Sequence, residues 1–529
     1  PGIAKAKLDF MASQQHTAEF RQWLSGEVQG APTSEHSLLA WWPHLKHRVR
    51  AKVLQQNRAW RAACPALDNT ALVQEVQTAV ARLGAATSQQ QSDTAMQGVL
   101  AARAALRRQQ QQHSATCERL QRLQWVHCGE RPQPAITQQI KALEGGHSRQ
   151  LVTLRDPSGR PMCERAGPAN VAVGHYARVS RQPVVDAAAK AEVLAAVRAE
   201  QPAASEEADG SQSVEVGEIA AAMVSSRPGT APGPDGLPLI FIKRFKDLLL
   251  PVLARVFGAI GSTGQVPPHF LDGAIVAILK PGGDPLETVG YRPITLLNTD
   301  YRLLARVLAD RLQPALQAVV SPSQTAFLKG RRSGANILTL QLLAEGLPIN
   351  SELVAALLDF AKAYDTVDRE FLLDVMREMG VGDAFCAWVQ TLLTATHARA
   401  VINGFVSDPK LFEAGVRQGC PLSPLLYLCV AEALLRYLKQ QGVGVTVLGV
   451  KLVSTQFADD TQVYLPSASD LPAFFVVMES FAAATGQHLN ISKTKVLLLG
   501  RAARQPHAAQ QRQQQQQQRQ GQPRQQQQL

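Results

Sequence analysis

The residues best placed to do chemistry in this chain of 529 are acidic, and they stand in two places. Asp459 and Asp460 are adjacent in KLVSTQFADDTQVYL, residues 451–465. The runs LVSTQF and TQVYL are strand-forming, so Ala458-Asp459-Asp460 reads as a tight hairpin with two carboxylates at its tip. Neighbouring side chains on extended backbone face opposite ways, which aims one Asp into a site and leaves the other beside or behind it. A divalent cation needs a third carboxylate. Asp359 supplies one: it ends the apolar run LVAALL at 353–358, a strand short enough to be covered on both faces. An acid at the end of such a strand is costly unless it is paired or holds a cation.

Cations stand in a second set of positions. The apolar run AIVAIL at 274–279 ends at Lys280, Pro281-Gly282-Gly283 turns the chain, and Gly290-Tyr291-Arg292-Pro293-Ile294 opens the next element. Two fixed cations around a glycine turn suit a triphosphate, whose nonbridging oxygens accept from ammonium and guanidinium. Arg417-Gln418-Gly419-Cys420-Pro421 follows a hairpin expected from 398–403 and 410–416. There Gly allows close backbone approach to a ligand and Pro stiffens the exit.

Taken in order, ALLDFAKAYDTVDREFL, RQGCPLSPLLY and FADD resemble the successive palm motifs of reverse transcriptases, most closely those of the non-LTR (LINE-type) branch. A lone Asp-Asp is more often a solvated turn; three linked motifs in this order are not. The resemblance covers residues 215–500 and implies an α+β fold, right-hand polymerase fingers and palm with an antiparallel palm sheet. It implies RNA-directed DNA synthesis from dNTPs on an RNA template and a DNA primer. Asp359, Asp459 and Asp460 are then catalytic, with a metal set of Asp359, Phe360, Asp459 and Asp460 holding two Mg²⁺ ions, Mn²⁺ being a substitute. Lys280, Arg292, Tyr364, Gln418, Gly419 and Lys493 become nucleotide-binding. Tyr364 stands where the family carries an aromatic ring that blocks a ribose 2′-hydroxyl. Lys493 matches the lysine near the departing pyrophosphate, with Lys495 close enough to compete. The helix expected at 300–316, with Arg302, Arg306 and Arg311, and the segment 321–336, with Lys329, Arg331 and Arg332, correspond to the family's template-guiding region. Such phosphate contacts are independent of sequence and sensitive to salt.

Composition sets wider bounds. A net charge of +11 and a pI near 9.4 favour a polyanionic partner. Five of the arginines lie after Gly500, in a segment whose residues 505–529 include fifteen Gln, a tract that cannot bury enough surface to fold. The seven cysteines form neither an even disulfide framework nor a metal-ligand spacing, which points to a reducing setting, nucleus and cytoplasm. The nearest approach to a zinc set is Cys117 with His127-Cys128. No apolar run is long enough for a membrane span, and nothing in the sequence calls for an obligate oligomer.

Four regions are expected: 1–195, mostly helical, as at 41–61 and 69–83; a polar acidic linker, 196–214; fingers and palm, 215–500; and the Gln-rich tail, 501–529. The chain starts at Pro1 and leaves the family pattern before a thumb, so it reads as a piece of a longer element with weak hold on a duplex. Within the third region, RPGTAPGPDGLP at 227–238 packs three Gly and four Pro into a constrained loop that resembles the entry to the fingers. One helix is expected at 241–260. Another is expected after Asp365 or Thr366 as its cap, with Phe371, Leu372, Val375, Met376 and Met379 at helical period and Gly380 as its stop. Two readings of other kinds stay open: a noncatalytic nucleic-acid-binding remnant, and an intron maturase-like protein.

Overall fold

The computed structural model describes residues 8–63, most of 74–105, 152–200, 208–347 and 352–500, apart from a few single positions. The zinc-set candidates Cys117, His127 and Cys128, most of the helix expected at 69–83, and the Gln-rich tail lie outside them. The chain forms two compact units. One holds Val152–Ala222 and Phe257 onward; the other holds Ile3–Leu151 and Met223–Val256.

The second unit is helical among its described residues. Helices α1 (Gln14–Gln29) and α2 (Glu35–Ala63) come from the N-terminal region. Its core is aromatic: Phe20 lies 5.0 Å from Phe10, 5.9 Å from Phe241 and 5.2 Å from Phe245, between ring centroids. Trp41 to Arg61, read from the sequence as helical, falls within α2. Lys46 pairs with Asp235 at 3.1 Å.

The first unit carries the sheets. After the short strands β1 (Leu154–Arg155) and β2 (Pro161–Met162) come α3 (Gly167–Val179) and α4 (Ala187–Ala199). Helix α5 (Val216–Ser225) follows. The single helix expected at 241–260 is two, α6 (Leu239–Arg244) and α7 (Lys246–Thr263). They part at Phe245, which leaves helical geometry with its ring fully buried against Phe20 and Phe241.

Strands β3 (Gly273–Leu279) and β4 (Tyr291–Leu297) pair antiparallel along their full length. β3 also pairs in parallel with β6 (Thr396–Ile402), but only over Gly273–Ile275. The far half of β3 is therefore a two-stranded ribbon, and Ile278 and Leu279 are exposed rather than buried as their apolar run suggests. β7 (Phe405–Val406) and β8 (Lys410–Phe412) complete this sheet on β6, and α3 packs on it through Ala169, Ala172 and Val173.

The other sheet is wholly antiparallel, as expected of a palm. Its order is β11 (Ser454–Phe457), β12 (Asp460–Leu465), β5 (Glu352–Leu358), β13 (Lys495–Gly500). A separate hairpin pairs β9 (Val445–Val447) with β10 (Val450–Leu452). The helices of this unit are α8 (Thr299–Val319), α9 (Gly334–Gly346), α10 (Arg369–Glu378), α11 (Asp383–Leu393), α12 (Ser423–Gln440) and α13 (Leu471–Thr485). Helix α10 starts later than expected: its cap is Asp368, which accepts from the Phe371 N–H, because Asp365 and Thr366 are spent in turns onto the Lys362 carbonyl.

A fully buried ion pair binds three helices. Arg436 on α12 donates to Glu432 at 2.9 Å, to the Val197 carbonyl in α4 at 3.0 Å and to the Val319 carbonyl ending α8 at 2.8 Å. Glu432 also accepts from the Ser321 N–H. Among the described residues no helix is long and apolar enough to cross a membrane.

Candidate active site

Asp359 leaves β5 just beyond Leu358, and Leu358 is opposite Thr461 on β12. One step further along this ladder Asp460 comes level with Asp359, about 5 Å of strand spacing away. Phe457 pairs with Asp460 across the hairpin, so Ala458 and Asp459 alone form its turn. The backbone thus gathers all three acids at one end of the antiparallel sheet. Asp459 is half-buried, and its carboxyl is pushed above the usual range by burial and then by the charges of Asp460 and Asp359.

The turn is held by a residue that sequence reading assigned elsewhere. Ala458 has a φ of 57°, a left-handed conformation that costs a side-chain-bearing residue energy. Gln324, fully buried in the segment read as template-guiding, accepts from the Ala458 N–H at 2.9 Å and from the Ala326 N–H at 3.1 Å. Thr325 donates its N–H and hydroxyl to the Gln456 carbonyl, and Asn336 donates to the same oxygen. Part of that segment is therefore a brace for the hairpin. Arg331 is likewise spent, on the carbonyls of Val320, Ser321 and Gln324. Arg311 clamps Glu218 and the carbonyls of Ser211 and Ser213.

The donor set of Asp359, Asp459 and Asp460 is all oxygen, as a hard divalent cation requires, and its mutual repulsion is what such a cation would relieve. Yet among the described residues no three acidic, His or Cys side chains converge closely enough to hold a metal ion. Two causes are visible. Asp459 and Asp460 are neighbours that face differently, and Asp359 is drawn to Lys493, whose Nζ lies 4.0 Å from its carboxylate. Both partners of that pair are partly exposed, which leaves their side chains room to change rotamer. The Phe360 ring is buried in a small cavity with Tyr427, Ala458 and Thr461, and its backbone bridges to Leu489.

Cations converge beside the acids. Lys280, at the end of the β3–β4 ribbon, donates to the Val289 carbonyl at 2.9 Å. Its ammonium is pushed below the usual range by partial burial, then by Lys362, Lys493 and Arg292, with Asp365 opposing. The structure therefore brings Lys280, Arg292 and Lys493 into one field and adds Lys362, which sequence reading did not single out. Lys362 has a φ of 56°, and no periodic pattern marks it. Of the two lysines competing near the C-terminal end, Lys493 lies by Asp359, while Lys495 sits within β13.

Tyr364 is stacked on Tyr427 of α12, centroids 4.7 Å apart at 17°. Its phenol is pushed well up by burial and then by Asp459 and Asp460, which places the ring beside the hairpin tip. Tyr427 was hidden in an apolar helical run. Gln418 does not stand free: its amide donates to both carboxylate oxygens of Asp365 at 3.1 Å, and its carbonyl accepts from the Thr295 N–H. Gly419 also makes a close approach within the protein: at φ 110°, a Cβ there would meet the Thr295 carbonyl oxygen of strand β4 at 2.6 Å.

Residues 278–523 match the family model described as reverse transcriptase (RNA-dependent DNA polymerase). Residues 278–523 are a reverse transcriptase domain of the LINE type. Relatives agree. The chain is 31% identical over 273 residues to the uncharacterized 149 kDa protein of transposon TX1 from Xenopus laevis, covering 51% of this chain and 21% of that protein. It is 26% identical over 272 residues to the Pol polyprotein of the R2 retrotransposable element of Nasonia vitripennis, covering 51% and 26%. To the RNA-directed DNA polymerase of the mobile element jockey of Drosophila melanogaster it is 26% identical over 246 residues, covering 46% and 26%. The chain thus spans about a quarter of the length of these relatives. The domain's family generally uses divalent metal ions and works on a nucleic-acid template and primer with dNTPs.

Proposed function

We propose that this chain is the RNA-directed DNA polymerase part of a non-LTR retrotransposon protein, adding deoxynucleotides to a primer 3′-hydroxyl on an RNA template. The observation that carries the reading is the meeting of Asp359, Asp459 and Asp460 at one sheet end, beside the cations Lys280, Lys362, Arg292 and Lys493. Nucleotidyl transfer asks for that arrangement, negative oxygen donors next to a positive field for phosphates, and for no covalent nucleophile.

Asp359 and Asp459 would hold two Mg²⁺ ions, with Asp460 completing or supporting them and Phe360 alongside. When bound, the ions activate the primer hydroxyl and steady the leaving pyrophosphate. The chain's own residues do the rest. Lys280 and Arg292 meet the triphosphate oxygens. Lys493, released from Asp359, faces the departing charge. Tyr364, immobilised by its stack on Tyr427, excludes a ribose 2′-hydroxyl. Gln418 and Gly419 shape the nucleotide pocket.

The test is extension of a DNA primer on an RNA template with dNTPs and Mg²⁺, in parallel with Asp459→Ala. Extension by the wild type and its loss in the variant is expected; extension unaffected by the substitution refutes the assignment. One observation favours a second reading, a noncatalytic nucleic-acid-binding remnant: the three acids do not close into an ion-holding cluster among the described residues. RNA binding without extension under every divalent cation would select it.

A further inference from the structure

Behind the pocket residues lies a carboxylate that the polymerase reading leaves without a task. Asp365 is partly buried in the turn after Tyr364, and both of its oxygens accept from the Gln418 amide at 3.1 Å. The two loops that carry them are stitched together. The Gly415 N–H donates to the Val367 carbonyl at 2.8 Å and the Val416 N–H to the Tyr364 carbonyl at 2.7 Å. Gly415, at φ 82°, lies so close that a Cβ would meet the Asp365 carbonyl oxygen at 2.5 Å. Asp365 is thus fixed by backbone on both sides, while Gln418 is anchored through its own carbonyl to Thr295 on β4. Only the side-chain amide of Gln418 has freedom left, and Asp365 takes it up.

We infer that Asp365 is a positioning residue, holding the Gln418 amide in the orientation that receives the incoming nucleotide; this rests on the polymerase reading of the same site. A partly buried carboxylate is a costly way to hold an amide, since a neutral acceptor would avoid the desolvation. What the charge adds is strength, because hydrogen bonds to an ionised acceptor are about twice as strong as neutral ones. It also links Gln418 to the cations. Lys362 in the same turn and Lys280 from β3 both act on Asp365, so phosphate-facing groups and the amide share one electrostatic unit. Burial lifts the Asp365 carboxyl to about 6 against the pull of Lys362, Gln418 and Lys280. Tyr176 faces it from α3, and Arg369 and Arg417 line the same cavity. Protonation below that point weakens its hold on the amide, so nucleotide affinity falls as the pH drops through about 6.

The experiment compares wild type, Asp365→Ala, Gln418→Ala and the double variant in single-nucleotide extension. Asp365→Ala should raise the KM for dNTP roughly tenfold, the scale of one hydrogen bond to a charged group, with kcat much less changed. The double variant should be no worse than Gln418→Ala alone, Asp365→Asn should restore part of the loss, and the low-pH rise in KM should vanish in Asp365→Ala. Multiplying effects of the two substitutions, or an unchanged KM, overturn the inference. A crystal structure of Asp365→Ala decides it independently of activity. The Gln418 side chain should leave its pose, and a retained pose refutes the positioning role even if the wild type extends no primer, a result that would count against the polymerase reading alone.

Discussion

Replacing Gln324 by Leu should unseat the hairpin that carries Asp459. The side chain is wholly buried, and its oxygen satisfies two buried backbone donors, Ala458 at 2.9 Å and Ala326 at 3.1 Å. Leucine matches the volume but leaves both N–H groups unpaired, at about 1 to 3 kcal/mol each. The expected loss is therefore roughly 2 to 6 kcal/mol, or about 3 to 9 °C in Tm for a unit of this size. Ala458 sits at φ 57°, a strain of about 1 to 2 kcal/mol for any residue with a Cβ, and Gln324 is what holds it there. Ala458→Gly in the Gln324→Leu background should recover about 1 kcal/mol by lifting that strain. Urea unfolding of the three proteins gives the energies, and primer extension reports the tip: Gln324→Leu should lose extension below its melting range, since Asp459 forms the released turn with Ala458. If Gln324→Leu unfolds within about 0.5 kcal/mol of wild type, the scale of an ordinary surface change, the brace is refuted. If Ala458→Gly recovers nothing, the strain is not stored at that residue.

Arg436→Met should cost about 3 to 5 kcal/mol, because it strands the buried Glu432 charge and two carbonyls. Burial already lifts the Glu432 carboxyl, and without Arg436 it rises further. A raised carboxyl is protonated in the folded state before the unfolded one, so stability improves as pH falls and the deficit should be smaller at pH 5 than at pH 8 in urea melts. Adding Glu432→Leu should return most of the loss; a double variant as weak as the single one would contradict the pairing. Tyr364→Val should narrow the preference for dNTP over rNTP by at least roughly tenfold in single-nucleotide incorporation, as the removal of a steric exclusion does. Unchanged discrimination would separate the ring on Tyr427 from sugar choice.

What the sequence disclosed and what it hid divide along a physical line. Features set by near neighbours were legible. Alternation around Ala458-Asp459-Asp460 gave the hairpin, the apolar run before Asp359 gave its strand, and the spacing of Phe371, Leu372, Val375 and Met376 gave the core face of α10. Features set by partners far along the chain were not. Gln324 meets Ala458 across 134 positions, Arg311 meets Glu218 across 93, and both fall in stretches that read as template-guiding until the fold brings their partners in. Helix α10 was misjudged at its start for a related reason: Asp365 is an able cap by type, but its carboxylate is committed to Gln418, 53 residues away.

Backbone strain is found at both acidic motifs. Of the non-glycine residues in left-handed backbone, which also include His269, Phe327, Ala395 and Asn403, Lys362 and Ala458 lie beside those motifs. Strain of this kind persists only where the surroundings over-determine it. Gln324 supplies that constraint at Ala458, and the Asp365 and Thr366 amides, both donating to the Lys362 carbonyl, supply it at Lys362. Local propensity alone would relax both turns, turning Asp459 from the end of β5 and Lys362 from Lys280. The hairpin acids are therefore held against local preference by a distant side-chain amide, which makes Gln324, and not a charged residue, the position where a neutral substitution should disperse the acids without altering the site's charge.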